Sequence, residues 1–371
     1  MKKLIALLLA LVMVCGLVAC GNKAPAADAP AADAPAADAP AADAPTADAP
    51  AADAPDADEG MTFAIIPKSA GNPYNEREAS GFEEACIALG VTPIIQYPED
   101  VSAEAQINVI NNLVAQGVDA IAVAANDAEA LESTLNAAKA AGIVVVSLDS
   151  DAKGSQLFIN QAGVSEVAQV LVDSVYDMSE GAGEFAVLSA SSTATNQNSW
   201  IAAMEQIIAA DSKYADLVWV ETVYGDDESQ KSYSLSESLM TNYPNLEVIC
   251  CPTTVGVLAC AQAVQNAGSS IKVAGLGLPS EMNGYVGEGL PCPYMFLWNP
   301  IEVGATAAYA IQCIIDGATT GTVGEEFTAA NGNTYVVLEA DPSVGVQSTQ
   351  IIVGPPYAFN ADNIAEWAQV Y

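Results

Sequence analysis

An alternation of short apolar runs with longer segments of helical spacing, beginning at Thr62, constrains the fold of this chain more than any other feature. The runs Thr62–Ile66 and Ile143–Leu148 are almost wholly apolar, which is typical of parallel strands buried on both faces. Between them, Glu104–Gln116 repeats apolar residues at helical spacing and is followed by Gly117, a residue type that commonly ends helices. The pattern predicts strand–helix–strand units.

The same alternation starts again in the middle of the chain. We predict further strands near Phe185–Leu188, Leu217–Val223, Glu247–Cys251 and Lys272–Leu276, with helices between them. The 311 residues from 61 to 371 are enough for two domains. We therefore predict an α/β protein with two doubly wound parallel-sheet lobes, joined by a hinge, whose junction falls just after residue 150.

The N-terminus has the pattern of a secretion signal. Met1-Lys2-Lys3 is positively charged and precedes an apolar stretch from Leu4 to Val18, which is shorter than the ~20 residues of a membrane span. We predict a signal peptide over residues 1–19. Cys20, directly after Ala19, resembles the lipidated cysteine of bacterial lipoproteins, which implies cleavage before it and lipid on its thiol. The alternative is plain secretion, with Cys20 an ordinary residue.

Within residues 20–60, the segment from Ala24 to Glu59 repeats the sequence Ala-Pro-Ala-Ala-Asp. Prolines recur every five residues, at Pro25, Pro30, Pro35, Pro40, Pro45, Pro50 and Pro55. Each proline lacks an amide hydrogen and disfavours a helical residue before it, and no side chain here is large enough to build a core. We predict a disordered, extended tether between the lipidation site and the folded part.

The chain is strongly acidic. Its formal net charge is −36, and the residues after Glu59 hold seven Lys or Arg against 37 Asp or Glu. Such a charge repels nucleic acid and anionic lipid surfaces and disfavours a highly anionic ligand. It predicts no nucleic-acid partner.

The composition also argues against an enzyme or a zinc site. The chain has no His, so the commonest general base is absent, and neither a nucleophile-elbow nor a phosphate-loop motif occurs. No cysteines are spaced Cys-x-x-Cys, and with no His in the chain a zinc site of the usual Cys/His kind is not expected. Six cysteines remain outside the N-terminal segment, namely Cys86, Cys250, Cys251, Cys260, Cys292 and Cys313. We predict no catalysis, no cofactor and no metal, and leave the thiol or disulfide state of the six open.

Polar and aromatic residues follow the predicted strands. In open parallel sheets, ligands bind beyond the carboxyl ends of the strands. The candidates at those ends are Lys68, Tyr74, Asp149, Asn196, Gln197, Pro252, Thr254, Trp298 and Asn299. Carboxylates and amides bind hydroxyl groups, and aromatic rings cover the C–H faces of sugars. The set indicates a site for a small neutral sugar.

Each candidate has a structural alternative. Asp149 could simply terminate its strand without contacting a ligand, and the Trp298 side chain could be part of the buried core. Asn196 and Gln197 could cap the following helix. The stretch from Pro252 to Thr254 could form the start of a helix and have no role in binding. Asp226 and Asp227, which follow another strand, are expected to form a solvated helix start.

Several stretches carry a resemblance to a known family. They are Thr193-Ala194-Thr195-Asn196-Gln197-Asn198, Val223-Tyr224-Gly225-Asp226-Asp227, Lys231-Ser232-Tyr233, Pro252-Thr253-Thr254-Val255-Gly256-Val257-Leu258-Ala259, Gly275-Leu276-Gly277-Leu278-Pro279-Ser280-Glu281-Met282 and Trp298-Asn299-Pro300. From about Met61 to Tyr371 the chain resembles the type I periplasmic binding proteins of sugar importers. Within that group it is most similar to the rhamnose-binding components of bacterial ABC importers.

The related receptors for the quorum signal autoinducer 2 (AI-2) suggest specific ligand contacts. Their binding residues, a Lys, an Asp, an Asp-Gln pair, a Pro and an Ala, fall here on Lys68, Asp149, Asn196-Gln197, Pro252 and Thr254. Asn196 and Thr254 depart from that pattern and match the rhamnose type better. AI-2 therefore stays the alternative ligand to rhamnose or a similar aldose.

The resemblance also implies the domain boundaries and partners. Residues 61–150 with about 298–318 would form the N-terminal lobe, and residues 151–297 with about 319–371 the C-terminal lobe. The lobes would close on the ligand, and the closed form would dock to the permease and ATPase of an ABC importer. The protein would be a monomer outside the cytoplasm, held at the cell membrane by its lipid. An extracellular enzyme on the same scaffold and a structural surface protein with a vestigial cleft are the remaining alternatives.

Overall fold

A computed structural model describes residues 60–371. The predicted signal peptide, Cys20 and the predicted tether up to Glu59 lie outside the described residues. In the part that is described, no helix is both long and apolar enough to cross a bilayer.

Strands and helices alternate over most of the described chain, up to about residue 315. The strands are β1 (Thr62–Ile66), β2 (Thr92–Ile95), β3 (Ala120–Val123), β4 (Val144–Leu148), β5 (Phe158–Asn160), β6 (Gly183–Ser189), β7 (Leu217–Tyr224), β8 (Leu246–Cys251), β9 (Lys272–Gly275), β10 (Tyr294–Leu297), β11 (Glu326–Thr328), β12 (Thr334–Val336), β13 (Gln350–Ile352) and β14 (Tyr357–Asn360). The helices are α1 (Pro73–Leu89), α2 (Ala103–Gln116), α3 (Glu132–Ala140), α4 (Val164–Met178), α5 (Thr195–Ala210), α6 (Ser229–Asn242), α7 (Thr254–Ala267), α8 (Pro279–Met282), α9 (Pro300–Ile315) and α10 (Ile364–Trp367).

The first sheet has six parallel strands in the order β13-β5-β4-β3-β1-β2. Successive residues of β1 point to opposite faces of the sheet. Phe63 and Ile65 lie in one apolar cluster with Phe82 of α1, and Ile66 lies in another with Leu113 of α2. Helices therefore cover both faces, as the continuous apolar runs predicted.

Two strands of this sheet correct the predicted lobe boundaries. Phe158–Asn160 pairs with β4, and Gln350–Ile352 pairs with Phe158–Asn160, although the sequence analysis assigned both segments to the C-terminal lobe. The assignment was wrong for these two strands because three residues are too short to show a period. Their place depends on pairing with chain segments far away in sequence.

The second sheet has four parallel strands in the order β7-β6-β8-β9. A bridge between Leu276 and Phe296 places β10 beside it, and β10 pairs antiparallel with β14. In each sheet, the strand that comes first in the chain lies between the next two. The order is β2-β1-β3 in the first sheet and β7-β6-β8 in the second. Ligands of such sheets bind at this change of direction, beyond the carboxyl ends of the strands.

Helix α9 packs directly against α1. A Cβ atom on Gly81 would lie 1.9 Å from the carbonyl oxygen of Ile301, and one on Gly304 would lie 1.8 Å from that of Glu78. Only glycine permits backbones this close. The contact brings the start of α9, which follows Trp298, next to the start of α1, which holds Tyr74.

The six cysteines of residues 60–371 are unpaired. All six in the described residues are free thiols, and five of them are buried. They therefore contribute to the core as small apolar side chains.

Candidate functional site

A cleft of about 410 Å³ opens at the carboxyl ends of β1, β4 and β8 and the start of α5. Its lining residues are Lys68, Asn72, Tyr74, Asn75, Asp149, Asn196, Gln197, Trp200, Asp227, Pro252, Thr253, Thr254, Leu276, Leu297 and Trp298. They come from both sheets and from α1, α5 and α7. We call this space the inner cavity.

Three polar side chains form the centre of the inner cavity. Lys68 Nζ lies 3.0 Å from Asp149 Oδ2, with side chains that are 18% and 5% exposed. Lys68 also donates to Asn196 Oδ1 at 3.0 Å, and Asn196 Nδ2 lies 3.3 Å from Asp149 Oδ2. Lys68 and Asp149 follow strands of the first sheet, whereas Asn196 lies in α5 after a strand of the second. The three side chains thus join the two sheets across the cleft.

Asp149 also binds the phenol of Tyr74. The Tyr74 hydroxyl donates to Asp149 Oδ1 at 2.9 Å and accepts from Trp298 Nε1 at 2.6 Å. Tyr74 is placed by the start of α1, where Asn72 Oδ1 accepts from the Tyr74 amide at 3.0 Å and Pro73 is the first helical residue. Both carboxylate oxygens of Asp149 are therefore held in fixed directions.

The backbone of Asp149 adopts a rare conformation. Its φ is +57°, and the amide of Ser150 donates to the carbonyl of Leu148 at 2.5 Å across it. A positive φ is unfavourable for most side chains, and among residues other than Gly it is best tolerated by Asn and Asp. Such strain concentrates at ligand sites. Here the residue in this conformation, Asp149, lines the cleft.

The opposite wall combines α5, the loop before α6 and the start of α7. Gln197 Nε2 donates to the carbonyl of Pro252 at 3.3 Å. Gln197 Oε1 is buried and accepts no hydrogen bond from residues 60–371. Thr253 donates its hydroxyl hydrogen to Asp227. Burial raises the pKa of the Asp227 carboxyl, and the hydroxyl of Thr253 and the charge of Lys68 oppose this rise. The unpaired oxygen of Gln197 is a free acceptor for a ligand hydroxyl.

Aromatic rings form the floor. The ring centroids of Trp200 and Trp298 are 5.6 Å apart, and the rings of Trp298 and Tyr74 meet edge to face at 6.4 Å. All three side chains are buried, so they present a rigid apolar surface. Such a surface suits the C–H face of a sugar ring.

Two buried acids lie close to one another beneath the inner cavity. Burial raises the pKa of the Tyr74 hydroxyl well above its ordinary value, and the charges of Asp149 and Glu78 raise it further. Burial also raises the pKa of Glu78 well above its ordinary value; Asp149 adds to this rise and Lys68 opposes it. Glu78 is 0% exposed, and neither of its carboxyl oxygens has a hydrogen-bond partner in the described part of the chain. Burial therefore favours the protonated, neutral form of both groups.

The structure brings most of the predicted site residues together. Those that line the inner cavity are Lys68, Tyr74, Asp149, Asn196, Gln197, Pro252, Thr254 and Trp298. Asn299 is not among the lining residues, because its Oδ1 caps α9 by accepting from the Ile301 amide at 3.0 Å. Asn196 and Gln197 do not cap α5, since that helix begins at Thr195. Trp298 is both buried and part of the lining.

Sequence reasoning missed two lining residues of particular chemical interest. Asp227 was interpreted as a solvated helix start, but it is half-buried and lines the cleft. The strand-end rule applies to it too, because it follows β7. Trp200 lies four residues after Asn196 in α5, and this spacing places both on one helix face.

The site offers polar groups for binding. Among residues 60–371, no group of three or more His, Cys, Asp or Glu side chains is placed to hold a metal ion. The single cation that lines the inner cavity, Lys68, is already paired with Asp149. Carboxylate and amide acceptors above an aromatic floor suit a neutral ligand with several hydroxyl groups.

Known proteins share this fold and much of this sequence. The sequence profile of the family described as periplasmic binding protein domain matches residues 63–319. An ABC transporter solute-binding protein from Clostridium phytofermentas, solved with bound L-rhamnose, is 47% identical with a TM-score of 0.80, covering 84% of this chain and 99% of that one. LsrB from Clostridium saccharobutylicum, in complex with AI-2, is 25% identical with a TM-score of 0.75, covering 82% and 99%. The D-allose-binding periplasmic protein of Escherichia coli is 24% identical over 275 residues, which are 70% of this chain and 86% of that protein.

Proposed function

This chain belongs to the periplasmic binding protein family, and from that membership we propose that its inner cavity captures L-rhamnose or a closely similar aldose for import. It is a sugar-binding solute-binding protein of the ABC-transporter type, and the family works outside the cytoplasm. The observation that carries the choice of sugar is the 47% identity to a protein solved with L-rhamnose over 84% of this chain.

The chemistry of the inner cavity supports a neutral deoxy-sugar. Asp149 can accept from two adjacent hydroxyl groups once the ligand displaces Lys68 or Tyr74 from its oxygens. The unpaired oxygen of Gln197 can accept from a third. The ring surfaces of Trp200 and Trp298 suit an apolar face that carries a methyl group in place of a hydroxymethyl group.

The second candidate ligand is AI-2. The 25% identity to an AI-2 complex over 82% of this chain favours it, as do Lys68, Asp149 and Gln197 in the lining of the inner cavity. Asn196 and Thr254 stand where the resemblance to AI-2 receptors calls for Asp and Ala. We infer that these two side chains favour the sugar.

We further propose that the two lobes close on the ligand like a hinge. The N-terminal lobe would comprise residues 61–150 and about 298–318, together with β5 and β13, and the C-terminal lobe the remainder. A ligand selects the closed form only if it contacts both lobes. Lys68 and Asp149 would supply the contacts of one lobe, and Asn196 and Gln197 those of the other.

The anchor and the partners follow from the same proposal. We propose that Cys20 carries lipid and that the acidic, proline-rich segment after it tethers a monomeric binding domain to the cell membrane. The sugar-binding role implies the permease and ATPase subunits of an ABC importer as partners. The relatives are binding proteins of transporters, so we propose that this protein does not chemically alter its ligand.

Calorimetric titration tests the ligand directly. We expect one-to-one binding of L-rhamnose, weaker or no binding of D-allose, and no binding of AI-2. Tight binding of AI-2 with no response to L-rhamnose would replace the proposal with signal uptake. Release of a modified sugar, detected by chromatography after incubation, would contradict the binding role.

A further inference from the structure

A second cavity, of about 460 Å³, lies beside the inner cavity. We call it the outer cavity. The residues that line both cavities are Lys68, Asn72, Asn75, Gln197 and Asp227. Because the two spaces share these walls, they are neighbouring chambers of one cleft. The two chambers are similar in size.

Both sheets contribute to the outer cavity. Ser69 and Asn126 follow β1 and β3 of the first sheet, whereas Ser191 and Asp226 follow β6 and β7 of the second. All four lie beyond the carboxyl ends of parallel strands, where ligands of this architecture bind. The outer cavity is therefore part of the binding cleft.

The polar groups of the outer cavity suit hydroxyl groups. The side chain of Asn126 is fixed by its Nδ2, which donates to the Lys68 carbonyl at 3.0 Å, and among the described residues its Oδ1 accepts no hydrogen bond. Gln197 Oε1 is buried and also without a partner in that part of the chain. A buried acceptor such as Gln197 Oε1 is costly to leave unpaired, and a ligand hydroxyl that donates to it removes that cost. With Asp226 and Asp227 in the lining, an anionic ligand is disfavoured.

The loop on one side of the outer cavity is held in an uncommon conformation. Asp226 and Asp227 have φ values of +56° and +52° in succession. Lys231 pairs with Asp226, and Thr253 donates to Asp227, so both carboxylates are held from outside the loop. Backbone strain of this kind persists where the surrounding structure enforces it, and it concentrates at ligand sites.

We propose that the outer cavity is a second sugar subsite, so that the cleft accepts a rhamnoside or rhamnose-containing disaccharide whose second ring lies between Asn126 and Ser191. This inference rests on the proposed sugar site in the inner cavity. The first ring would occupy the inner cavity, and the glycosidic oxygen would pass the shared wall near Gln197. The second ring would receive hydroxyl contacts from both lobes.

The test uses the full chain and two kinds of probe. L-rhamnose measures the inner cavity alone, and α-linked L-rhamnosyl-L-rhamnose disaccharides of different linkage measure both cavities. We expect at least one disaccharide to bind at least as tightly as L-rhamnose by calorimetry. Ser191→Trp, which fills the outer cavity with an indole ring, should weaken that disaccharide about tenfold or more and change the L-rhamnose Kd less than about twofold.

A matched control and a second variant keep the test decisive. Ser192→Trp adds the same indole to the neighbouring exposed residue, which does not line the outer cavity, and should leave both affinities unchanged. If Ser191→Trp fails to fold, Val101→Trp fills the same cavity from a loop residue that is 52% exposed.

Each outcome separates the two proposals. Binding of L-rhamnose without binding of any disaccharide would overturn the outer subsite and leave the proposed function standing. Disaccharide binding that is weakened by neither Ser191→Trp nor Val101→Trp would also overturn the subsite. Failure of L-rhamnose and all disaccharides would overturn the proposed function, and the subsite with it.

Discussion

The hydroxyl of Tyr74 donates to Asp149 Oδ1 at 2.9 Å, and this bond fixes the strand-end carboxylate against the first helix. The same hydroxyl accepts from Trp298 Nε1 at 2.6 Å, so one phenol orients both a hydrogen-bonding group and a ring of the aromatic floor. Tyr74 is therefore a positioning residue as well as a lining residue.

Tyr74→Phe should weaken ligand binding and destabilise the fold. The change leaves the buried indole N–H of Trp298 without its acceptor and frees one oxygen of Asp149, at a cost of about 1–3 kcal/mol. We expect about a tenfold rise in the Kd for L-rhamnose by calorimetry, with a lower urea midpoint. Tyr357→Phe, at an exposed ring outside the cleft, is the control. Equal affinity in the wild type and Tyr74→Phe would show that the phenol does not orient Asp149 for the ligand.

Asp149→Asn should abolish binding at ordinary sugar concentrations. The change removes one hydroxyl acceptor from a closed cleft and leaves the Lys68 ammonium without its anion, so we expect the Kd to rise about 100-fold or more. Asn tolerates the positive φ of this position at least as well as Asp, whereas Asp149→Ala adds roughly 1–2 kcal/mol of backbone strain. Comparing Asp149→Asn with Asp149→Ala, by calorimetry for affinity and by denaturation for stability, separates the role of the carboxylate in binding from the effect of the backbone conformation. Asp362→Ala, at an exposed acid far along the chain, is the control; an Asn variant that binds like the wild type would refute the assignment.

The sequence predicted the main sheets but not their edges. Strands such as Thr62–Ile66 and Val144–Leu148 stand out because a strand covered on both faces must be almost wholly apolar. Phe158–Asn160 has only three residues, and its place is decided by pairing with β4 rather than by its own pattern. No local signal distinguishes such a strand from a loop, so the predicted boundary at residue 150 was misplaced.

The strand-end rule found most of the site, and helix geometry explains what it missed. Lys68 and Asp149 directly follow strands, so their proximity follows from parallel topology alone. Trp200 lies one helical turn after Asn196 in α5 and so faces the same cavity. To predict this from the sequence, one must know that the helix begins at Thr195. Asn299 was assigned to the site, yet an Asn before a Pro that opens a helix is also the pattern of an N-cap, and that role holds its side chain.

Asn196→Asp should lower the affinity for L-rhamnose. In the wild type the Asn196 amide nitrogen donates to the Asp149 carbonyl at 3.1 Å and lies 3.3 Å from its carboxylate. A carboxylate there loses both contacts and repels Asp149. Lys68 and the Ser150 hydroxyl, which already donate to the Asn196 oxygen, offset this only in part, so we expect about a tenfold or greater rise in Kd. The double variant Asn196→Asp/Thr254→Ala has the two residues that the resemblance to AI-2 receptors calls for. Its affinity for AI-2 should rise relative to its affinity for L-rhamnose. Asn198→Asp, two residues along α5 and outside the lining, is the matched control; unchanged L-rhamnose binding in Asn196→Asp would contradict the specificity role.

Glu78→Gln should remove a fall in stability with rising pH. Burial raises the pKa of Glu78 well above its ordinary value of 4.5, with Asp149 adding to the rise and Lys68 opposing it, and Tyr74 is the other titratable group beside it. The unfolded chain releases this proton near pH 4.5 while the folded chain keeps it, so the stabilisation is complete below that pH and is lost as the pH rises through the folded value. Gln has the shape of the neutral acid and cannot ionise. Urea unfolding from pH 4.5 to pH 9 should therefore show equal stability of variant and wild type at the acid end and a more stable variant at the alkaline end. Glu84→Gln, at an exposed position of the same helix, should leave the pH dependence as in the wild type. If the free energy of unfolding depends on pH in the same way for Glu78→Gln and the wild type, the prediction is contradicted. Glu78 would then ionise in the folded protein much as it does in the unfolded chain, and its carboxyl would have a partner.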